Sequence, residues 1–248
     1  MIAEAIEKIQ LLANPEKYEI NGETYSTNKN LFRVAPHIDR PEKAKFSSLD
    51  AITQALRVEI CNDVITKPVF LNVSDHNRVT VFTTYRPGNL QRDVIYEAAP
   101  CLPAPLAPWS CHDDAIIALR SQFVPNDGVE YILGLLSRIS SDDSVSSEDN
   151  GVSQEVTAIT GVALKTNETV RPRVLLAPYR TFLEVEQPES EFLLRVKPGD
   201  KESKIPPKIG IIEADGGAWK LAARKNIADY FRKSLSDLIT RNLLIVAE

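Results

Sequence analysis

One stretch, residues 67–88, constrains the fold more than any other, because it has the pattern of a β-hairpin. Two runs rich in Val, Phe, Leu and Thr, at 69–73 and 78–85, flank the polar tip Ser74-Asp75-His76-Asn77. Such runs around a short polar tip are typical of two antiparallel strands joined by a tight turn. Because both runs are apolar, other elements must cover at least one face of the hairpin. We expect it to lie at the centre of an N-terminal sheet.

The elements around the hairpin follow from periodicity and turn residues. An apolar stripe predicts a short N-terminal helix, and Asn21-Gly22 predicts a type I′ turn between two short strands. Ser47 or Ser48 is placed to cap a helix. The patterns predict this helix at 49–61 and a strand after the hairpin at 93–98. A stiff proline-rich connection is predicted at 100–109. Two further helices are predicted at 111–122 and 125–139.

A change of composition at residues 140–151 marks a boundary between two lobes. This segment, SSDDSVSSEDNG, has four acids, no base and one apolar residue. Such a composition predicts a solvated or disordered linker. We therefore expect an N-terminal α+β lobe over residues 1–139 and a strand-rich α+β lobe over residues 152–248. The resulting fold class is α+β, with largely antiparallel sheets and packed helices.

In the C-terminal lobe, the patterns predict mostly strands. A helix is predicted at 152–163 and an amphipathic helix at 226–240. Strands are predicted at 170–177, 180–186, 191–196, 208–212, 218–223 and 243–246. Strand and helix patterns do not alternate regularly, which argues against a doubly wound sheet.

Charge and cysteine content limit which partners and which cellular compartment we expect. The net charge of −5 does not favour general binding of DNA or RNA, although a local basic patch is compatible with it. The three cysteines form no disulfide framework, which is typical of a reducing cytosol. No stretch approaches the roughly 18 apolar residues that a membrane span needs. We expect a cytoplasmic protein without a membrane partner.

The densest polar cluster is Cys111-His112-Asp113-Asp114, directly before a predicted helix. These side-chain types are metal ligands, and a helix N-terminus lowers the pKa of a thiol. Their spacing matches no common zinc pattern, so the alternative is a helix start with acids favoured by the helix dipole. Asp75-His76 at the hairpin tip is either half of an acid–base pair or ordinary turn chemistry. These six residues form a site only if the fold brings them together.

Paired acids and a basic segment are the remaining candidates. Glu184 with Glu186, on one face of a predicted strand, can bind a divalent cation, and the alternative is a solvated sheet face. Glu213 and Asp215 form a second pair, in a predicted turn. A basic segment interleaved with aromatic residues is typical of a nucleic-acid surface, and the alternative is the wet face of an amphipathic helix. Its residues are Trp219, Lys220, Arg224, Lys225, Arg232 and Lys233.

Cofactor and catalytic motifs are absent from the sequence. It contains no glycine-rich phosphate loop of either common type and no nucleophile elbow. We therefore assign no cofactor, no metal ligand and no catalytic residue.

The order of several patterns between residues 46 and 231 resembles that of a known family. The segment FSSLDAITQAL at 46–56 precedes the hairpin, and a helix running from Gln122-Phe123 to residue 139 precedes the polar linker. The helix-then-strand segment at 156–194, the strand PPKIGIIE at 206–213 and Gly216-Gly217 follow. This layout is similar to the YfdQ-like group, a phage and prophage family of unknown function. That family tends to have Tyr-His where this chain has Tyr85-Arg86, and no catalytic motif attaches to it. The resemblance implies a phage or prophage accessory protein in the bacterial cytoplasm.

We expect a non-enzymatic accessory protein that acts by binding another protein or a second copy of itself. The first alternative is a nucleic-acid-associated protein that uses the basic segment at 219–233. The second is a metal-dependent hydrolase built from residues 111–114 and the paired acids. Each alternative requires a different set of residues to lie close together in the folded protein.

Overall fold

The computed structural model describes residues 2–13, 17–26, 32–33, 42–86, 90–138, 144–149, 154–160, 163–197, 199 and 206–248. Their helices are α1 (Ile2–Ala13), α2 (Leu49–Cys61), α3 (His112–Gln122), α4 (Asp127–Arg138), α5 (Trp219–Ser234) and α6 (Ser236–Thr240). Their strands are β1 (Lys17–Ile20), β2 (Glu23–Ser26), β3 (Phe32–Arg33), β4 (Ala44–Phe46), β5 (Val69–Asp75), β6 (Arg78–Thr83), β7 (Val94–Ala98), β8 (Trp109–Cys111), β9 (Ser144–Asp149), β10 (Gln154–Thr160), β11 (Ala163–Val170), β12 (Arg173–Leu176), β13 (Ser190–Lys197), β14 (Lys208–Glu213) and β15 (Leu244–Ala247). The predicted α+β class is confirmed, and the chain divides into two compact units, residues 1–41 and 42–248.

The smaller unit consists of α1 and an antiparallel sheet in the order β1-β2-β3. Asn21 and Gly22 form the two-residue turn between β1 and β2, and their φ angles are 54° and 79°. A type I′ turn requires positive φ at both central positions, which Asn and Gly adopt most readily. The hairpin predicted from these two residues is confirmed.

The predicted central hairpin is confirmed as β5 and β6, which pair antiparallel. It lies inside a five-stranded sheet of the larger unit, in the order β15-β5-β6-β7-β4. β7 continues the antiparallel pairing, whereas the edge strands β15 and β4 run parallel to β5 and β7. The hairpin therefore occupies the middle of this sheet.

One face of the five-stranded sheet is buried against α2, α5 and α6. Alternate residues of β5 and β6 point to that face, as the two-residue period of a strand requires. α2 buries one stripe of side chains at helical spacing, and Ser48 caps it by accepting the N–H of Ala51 at 3.2 Å. The side chains that form this core include Leu49, Ile52, Leu56, Leu71, Val73, Val79, Val81, Phe182, Ile227 and Phe231.

A second hydrophobic core lies between α3, α4 and an antiparallel four-stranded sheet in the order β12-β13-β14-β8. A three-stranded sheet, β11-β10-β9, contacts it through Val170, which lies in this core, and through the side chain of Gln154. The buried amide of Gln154 donates from Nε2 to the carbonyl oxygen of Val196 at 2.6 Å, and its Oε1 accepts the N–H of Val196 at 2.8 Å. Gln154 thereby satisfies the backbone groups that a paired strand would otherwise bond.

Within the larger unit, strands from the two predicted lobes, residues 1–139 and 152–248, pair with each other. β15 pairs with β5, and β8 pairs with β14. Helix α5 packs in the same core as the hairpin. Within the predicted linker, residues 144–149 form β9, paired with β10, and the rest of the linker lies outside the described residues. Part of the acidic segment is therefore a strand of a sheet.

Three shorter predictions are wrong. Residues 154–160, predicted as part of a helix, form β10, in keeping with their β-branched Val, Thr and Ile residues. Residues 180–186, predicted as a strand, form a loop whose backbone is bonded by the side chain of Gln187. The segment after Ala218, predicted as a strand, begins α5, because the carboxylate of Asp215 accepts the N–H groups of Gly217 and Trp219.

Candidate functional site

A cavity of about 570 Å³ lies between the five-stranded and the four-stranded sheets. The β5–β6 turn, the proline-rich connection, the end of α3, strands β13 and β14 and the start of α5 all contribute to its lining. The apolar part includes Leu102, Leu106, Phe123, Phe192, Ile211 and Ile212. The polar lining side chains, which we call the polar corner, are His76, Asn77, Gln122, Arg180, Glu213 and Trp219.

The proline-rich connection forms one wall of the cavity. Pro103, Pro105 and Pro108 line it, together with Pro178. Proline fixes φ and has no N–H to donate, so this segment is neither helix nor sheet. A wall with so few accessible conformations loses little entropy when a ligand binds. The cavity is therefore pre-organised on this side.

Arg180 is the centre of the polar corner. Its Nη1 forms an ion pair with Glu213, and its Nη2 donates to Ser190 Oγ at 2.7 Å and to the carbonyl oxygen of Pro188 at 3.1 Å. The guanidinium carbon lies 3.7 Å from the centroid of the Trp219 ring. Burial lowers the pKa of Arg180 from its ordinary value, and the charge of Glu213 opposes this shift. The guanidinium is thus held on four sides and cannot swing freely.

Gln187 fixes the backbone that carries Arg180. Its buried side-chain Oε1 accepts the N–H groups of Arg180 at 3.0 Å and Thr181 at 3.2 Å. Its Nε2 donates to the carbonyl oxygen of Phe182 at 2.9 Å, and Phe182 is itself fully buried. Because one amide side chain bonds three backbone groups, the loop keeps one conformation without pairing as a strand.

The hairpin tip reaches the polar corner through His76. Its imidazole contacts the Trp219 ring edge-on, with 4.7 Å between the ring centroids, and its carbonyl oxygen accepts Thr181 Oγ1–H at 2.5 Å. Asp75 Oδ1 accepts the backbone N–H of His76 at 2.7 Å and lies 2.6 Å from His76 Nδ1. These contacts, the backbone N–H first, lower the pKa of Asp75 below its ordinary value. Asp75 and His76 therefore contact each other, and these contacts are hydrogen bonds within the β5–β6 turn.

Several polar groups of the corner have no partner among the described residues. The N–H groups at Arg180 Nε and Trp219 Nε1 are buried and donate to no acceptor within the described part of the chain. The side-chain amides of Asn77 and Gln122 are half-buried and make no hydrogen bond to the described residues, so they remain open to water or a ligand. Buried polar groups in native proteins are nearly always paired, so unpaired ones call for an explanation.

The predicted cluster at residues 111–114 does not meet the Asp75-His76 pair in this cavity. Cys111 ends β8, and His112 lies with Nδ1 2.8 Å from Asp113 Oδ1 and Nε2 3.0 Å from the carbonyl oxygen of Leu136. Asp113 and Asp114 stand exposed in the first turn of α3. Cys111 and Asp114 border a separate cavity of about 470 Å³. In the described ranges, no three His, Cys, Asp or Glu residues gather where they could hold a metal ion.

The paired acids have separate structural roles. Glu184 Oε1 accepts the N–H of Leu49 at 2.7 Å and so caps α2 from a distant part of the chain, while Glu186 is exposed. They do not share a strand face, because their segment is a loop. Glu213 pairs with Arg180, and Asp215 caps α5. Neither pair is arranged to hold a cation jointly.

The aromatic side chains of the predicted nucleic-acid segment are buried or make contacts within the protein. Trp219 is 7% exposed and Phe231 is fully buried. Tyr230 donates to the carboxylate of Asp50 and packs edge-on against Phe231. Bases stack on exposed rings, so these rings offer no stacking platform.

The basic members of that segment lie mostly on the outside of α5. Lys220, Lys225, Arg232 and Lys233 are exposed. Arg232 bonds Asp229 at 2.8 Å and Glu248 at 3.4 Å. Arg224 donates from Nε to the carbonyl oxygen of Val73 at 3.3 Å. The pattern is that of the solvated face of an amphipathic helix.

Three residues of the polar corner, Asn77, Gln122 and Arg180, were not identified as site residues from the sequence. Gln187, which supports the corner, was not identified either. Trp219 was identified, but as part of a different surface. These residues are distant along the chain, and no spacing rule links a loop arginine to a tryptophan in the first turn of a later helix. They come together in space because the two hydrophobic cores pack the elements that carry them.

Comparison with protein-family models, with curated proteins and with solved structures finds no match to this chain. Within the described ranges, no helix has the length and apolar character that crossing a membrane requires.

Proposed function

We propose that this protein acts by binding a small, mainly apolar ligand in the cavity between the five-stranded and four-stranded sheets, without a catalytic step of its own. The observation that carries the proposal is a cavity of about 570 Å³ whose apolar walls end in a polar corner. Small-molecule sites are typically concave, about 300–1,000 Å³ in volume, apolar and supplied with a few placed polar groups. The stiff proline wall and the fixed Arg180 loop add the pre-organisation that binding favours.

The lining supports binding over covalent catalysis. Among the described residues that line the cavity, Tyr179 carries the one hydroxyl group, and none is Ser, Thr, Cys or Lys. Arg180 and Glu213 neutralise each other, and His76 packs against the Trp219 ring. A nucleophilic mechanism needs an activated nucleophile within hydrogen-bond reach of a base, and this lining does not supply one.

A fragment screen by ligand-observed NMR tests the proposal. We expect apolar fragments with one polar group to bind, and Ala104→Phe to abolish their binding, because Ala104 lines the cavity. Ala222→Phe is the matched control, since Ala222 is exposed on α5 outside the cavity lining. Equal binding by both variants, or no fragment binding by the unmodified protein, would contradict the proposal.

A second candidate function is contact with another protein, here a second copy of the chain. It is favoured by an apolar row, Ile245, Phe70, Phe82 and Val94, which are direct neighbours across four strands. Ile245 and Val94 are 46% and 41% exposed, and the row lies on the sheet face opposite the buried core, where the guanidinium of Arg92 lies over the rings of Phe70 and Phe82 at 4.2 and 5.1 Å. Sedimentation velocity should show an association that Val94→Lys removes and Ile117→Lys, on exposed α3, leaves intact. A monomer at every concentration would reject this candidate.

The wider setting of this binding role is also a proposal. A phage or prophage accessory protein of the bacterial cytoplasm is supported by the order of sequence patterns that resembles the YfdQ-like family. The three cysteines, which form no disulfide framework, support the reducing compartment. Detecting the protein in the soluble fraction of phage-carrying cells, and not in the periplasm, is the test.

A further inference from the structure

The charges and unpaired polar groups of the polar corner specify the chemistry of the ligand. We infer that the cavity takes an uncharged molecule whose apolar body carries a carbonyl or amide group. This inference rests on the proposed ligand-binding function and goes beyond it by naming the polar group of the ligand and by excluding anions.

The first argument is charge balance at the corner. The positive charge of Arg180 is already matched by Glu213 in an ion pair, and the carboxylate of Asp215 adds to the negative field around it. Asp75 places a further carboxylate beside His76. Because Glu213 already pairs with Arg180, the corner has no net positive charge to offer an anionic ligand, which would meet the carboxylate of Glu213 in the lining. A neutral ligand meets no such repulsion.

The second argument is unmet hydrogen-bonding capacity. The amides of Asn77 and Gln122 line the cavity, and each offers both a donor and an acceptor. Trp219 and Arg180, which also line it, have the buried nitrogens Nε1 and Nε without partners in the described part of the chain. All these groups except the guanidinium are neutral. A carbonyl oxygen or an amide is the ligand group that complements such donors and acceptors.

The third argument is the shape and composition of the rest of the cavity. Phe123, Phe192 and Ile212 line it together with the prolines of the connection. These side chains can contact an apolar body but cannot solvate a charge. A polar group on the ligand is therefore confined to the corner, which orients the ligand.

Three probes of similar shape separate the ligand classes: phenylacetamide, phenylacetate and propylbenzene. Binding is measured by saturation-transfer NMR and by the fluorescence of Trp219 in a Trp109→Phe background, where Trp219 is the one remaining tryptophan. We expect phenylacetamide to bind about tenfold more tightly than either other probe, the ratio that one ordinary hydrogen bond gives. Quenching or a shift of the Trp219 emission should accompany its binding.

Variants test whether the corner causes this preference. Asn77→Leu and Gln122→Leu should reduce the preference for phenylacetamide to less than about twofold, because each removes an unpaired amide. Gln54→Leu, on the exposed face of α2, is the control and should keep the full preference.

The outcomes distinguish this inference from the function on which it rests. Equal binding of the three probes would overturn the inference and leave the ligand-binding function standing. Tighter binding of phenylacetate would also overturn it, since the corner would then prefer an anion. Failure of all three probes to bind at millimolar concentration would overturn both.

Discussion

The guanidinium carbon of Arg180 lies 3.7 Å from the centroid of the Trp219 ring, and this contact ties the loop before β13 to the first turn of α5. Arg180 reaches the ring from a loop held by Gln187, and Trp219 starts a helix capped by Asp215. A cation over an aromatic ring contributes about 0.5–2 kcal/mol, more when it is withdrawn from water. The polar corner is therefore part of what joins the elements of the larger unit.

Arg180→Lys should lower the free energy of unfolding by about 2 kcal/mol, because lysine cannot bond Glu213, Ser190 and the Pro188 carbonyl at once. Arg173→Lys is the control, since the ion pair of Arg173 with Glu191 is exposed, and it should change stability by less than about 0.5 kcal/mol. Urea unfolding measures both. Similar losses in the two variants would show that Arg180 has no special structural role.

Glu184→Ala should lower the free energy of unfolding by about 1 kcal/mol, because it removes the carboxylate that caps α2 at the N–H of Leu49. Glu186→Ala, two residues away and exposed, should change it by less than about 0.5 kcal/mol. Thermal unfolding with and without Mg²⁺ compares the capping role with the earlier cation-binding hypothesis. Stabilisation by Mg²⁺ that both substitutions remove would favour the cation site.

Two glycines of α4 should respond to alanine with opposite signs. A Cβ at Gly128 would overlap the carbonyl oxygen of Leu175 and lie 3.1 Å from Leu176 Cδ2, so Gly128→Ala should lower stability by about 1–3 kcal/mol. At Gly134 the nearest atom is the flexible end of Arg138 at 3.6 Å, so Gly134→Ala should raise stability by about 0.5–1 kcal/mol. Chemical denaturation measures both, and a stabilising Gly128→Ala would contradict this packing of α4 on β12.

The stability contributed by Asp75 should depend on pH in the acid range. Its folded-state pKa lies below the ordinary value of 3.8, first because the backbone N–H of His76 donates to its carboxylate. The unfolded chain therefore holds the proton more tightly, so this contribution is present above that value and is lost as the pH falls through the folded-state pKa. The difference in unfolding free energy between the unmodified protein and Asp75→Asn should be constant above about pH 5 and shrink below it. A difference that does not change down to pH 2 would be the contrary result.

The elements that the sequence predicts correctly are those with local signals. The β5–β6 hairpin, α3, α4 and β15 each carry their own period or turn residues. β10 was predicted as a helix because a short mixed run fits either period, and only its pairing with β9 and β11 decides between them. Composition also does not reveal that β8 pairs with β14 and that β5 pairs with β15.

The candidate site was less accessible to sequence reasoning than the fold. Arg180 has no local motif, and its position depends on the side chain of Gln187 replacing a strand partner. Trp219 lies in a basic stretch that resembles a nucleic-acid surface, but the apolar period of α5 turns its ring inward. Side chains that replace backbone hydrogen bonds, as Gln154 and Gln187 do, leave no periodic trace in the sequence.

The parallel pairing of β15 with β5 has a consequence for how the chain folds as it is synthesised. Leu244 pairs with Val69, so nearly the whole larger unit separates two neighbouring strands. Contacts between such distant residues form slowly, because a long loop must close before they stabilise anything. Until α5 and β15 have left the ribosome, α2 covers the apolar face of the hairpin without the side chains of α5 and α6. The nascent chain is therefore a predicted client of chaperones, which bind exposed apolar strands during that interval.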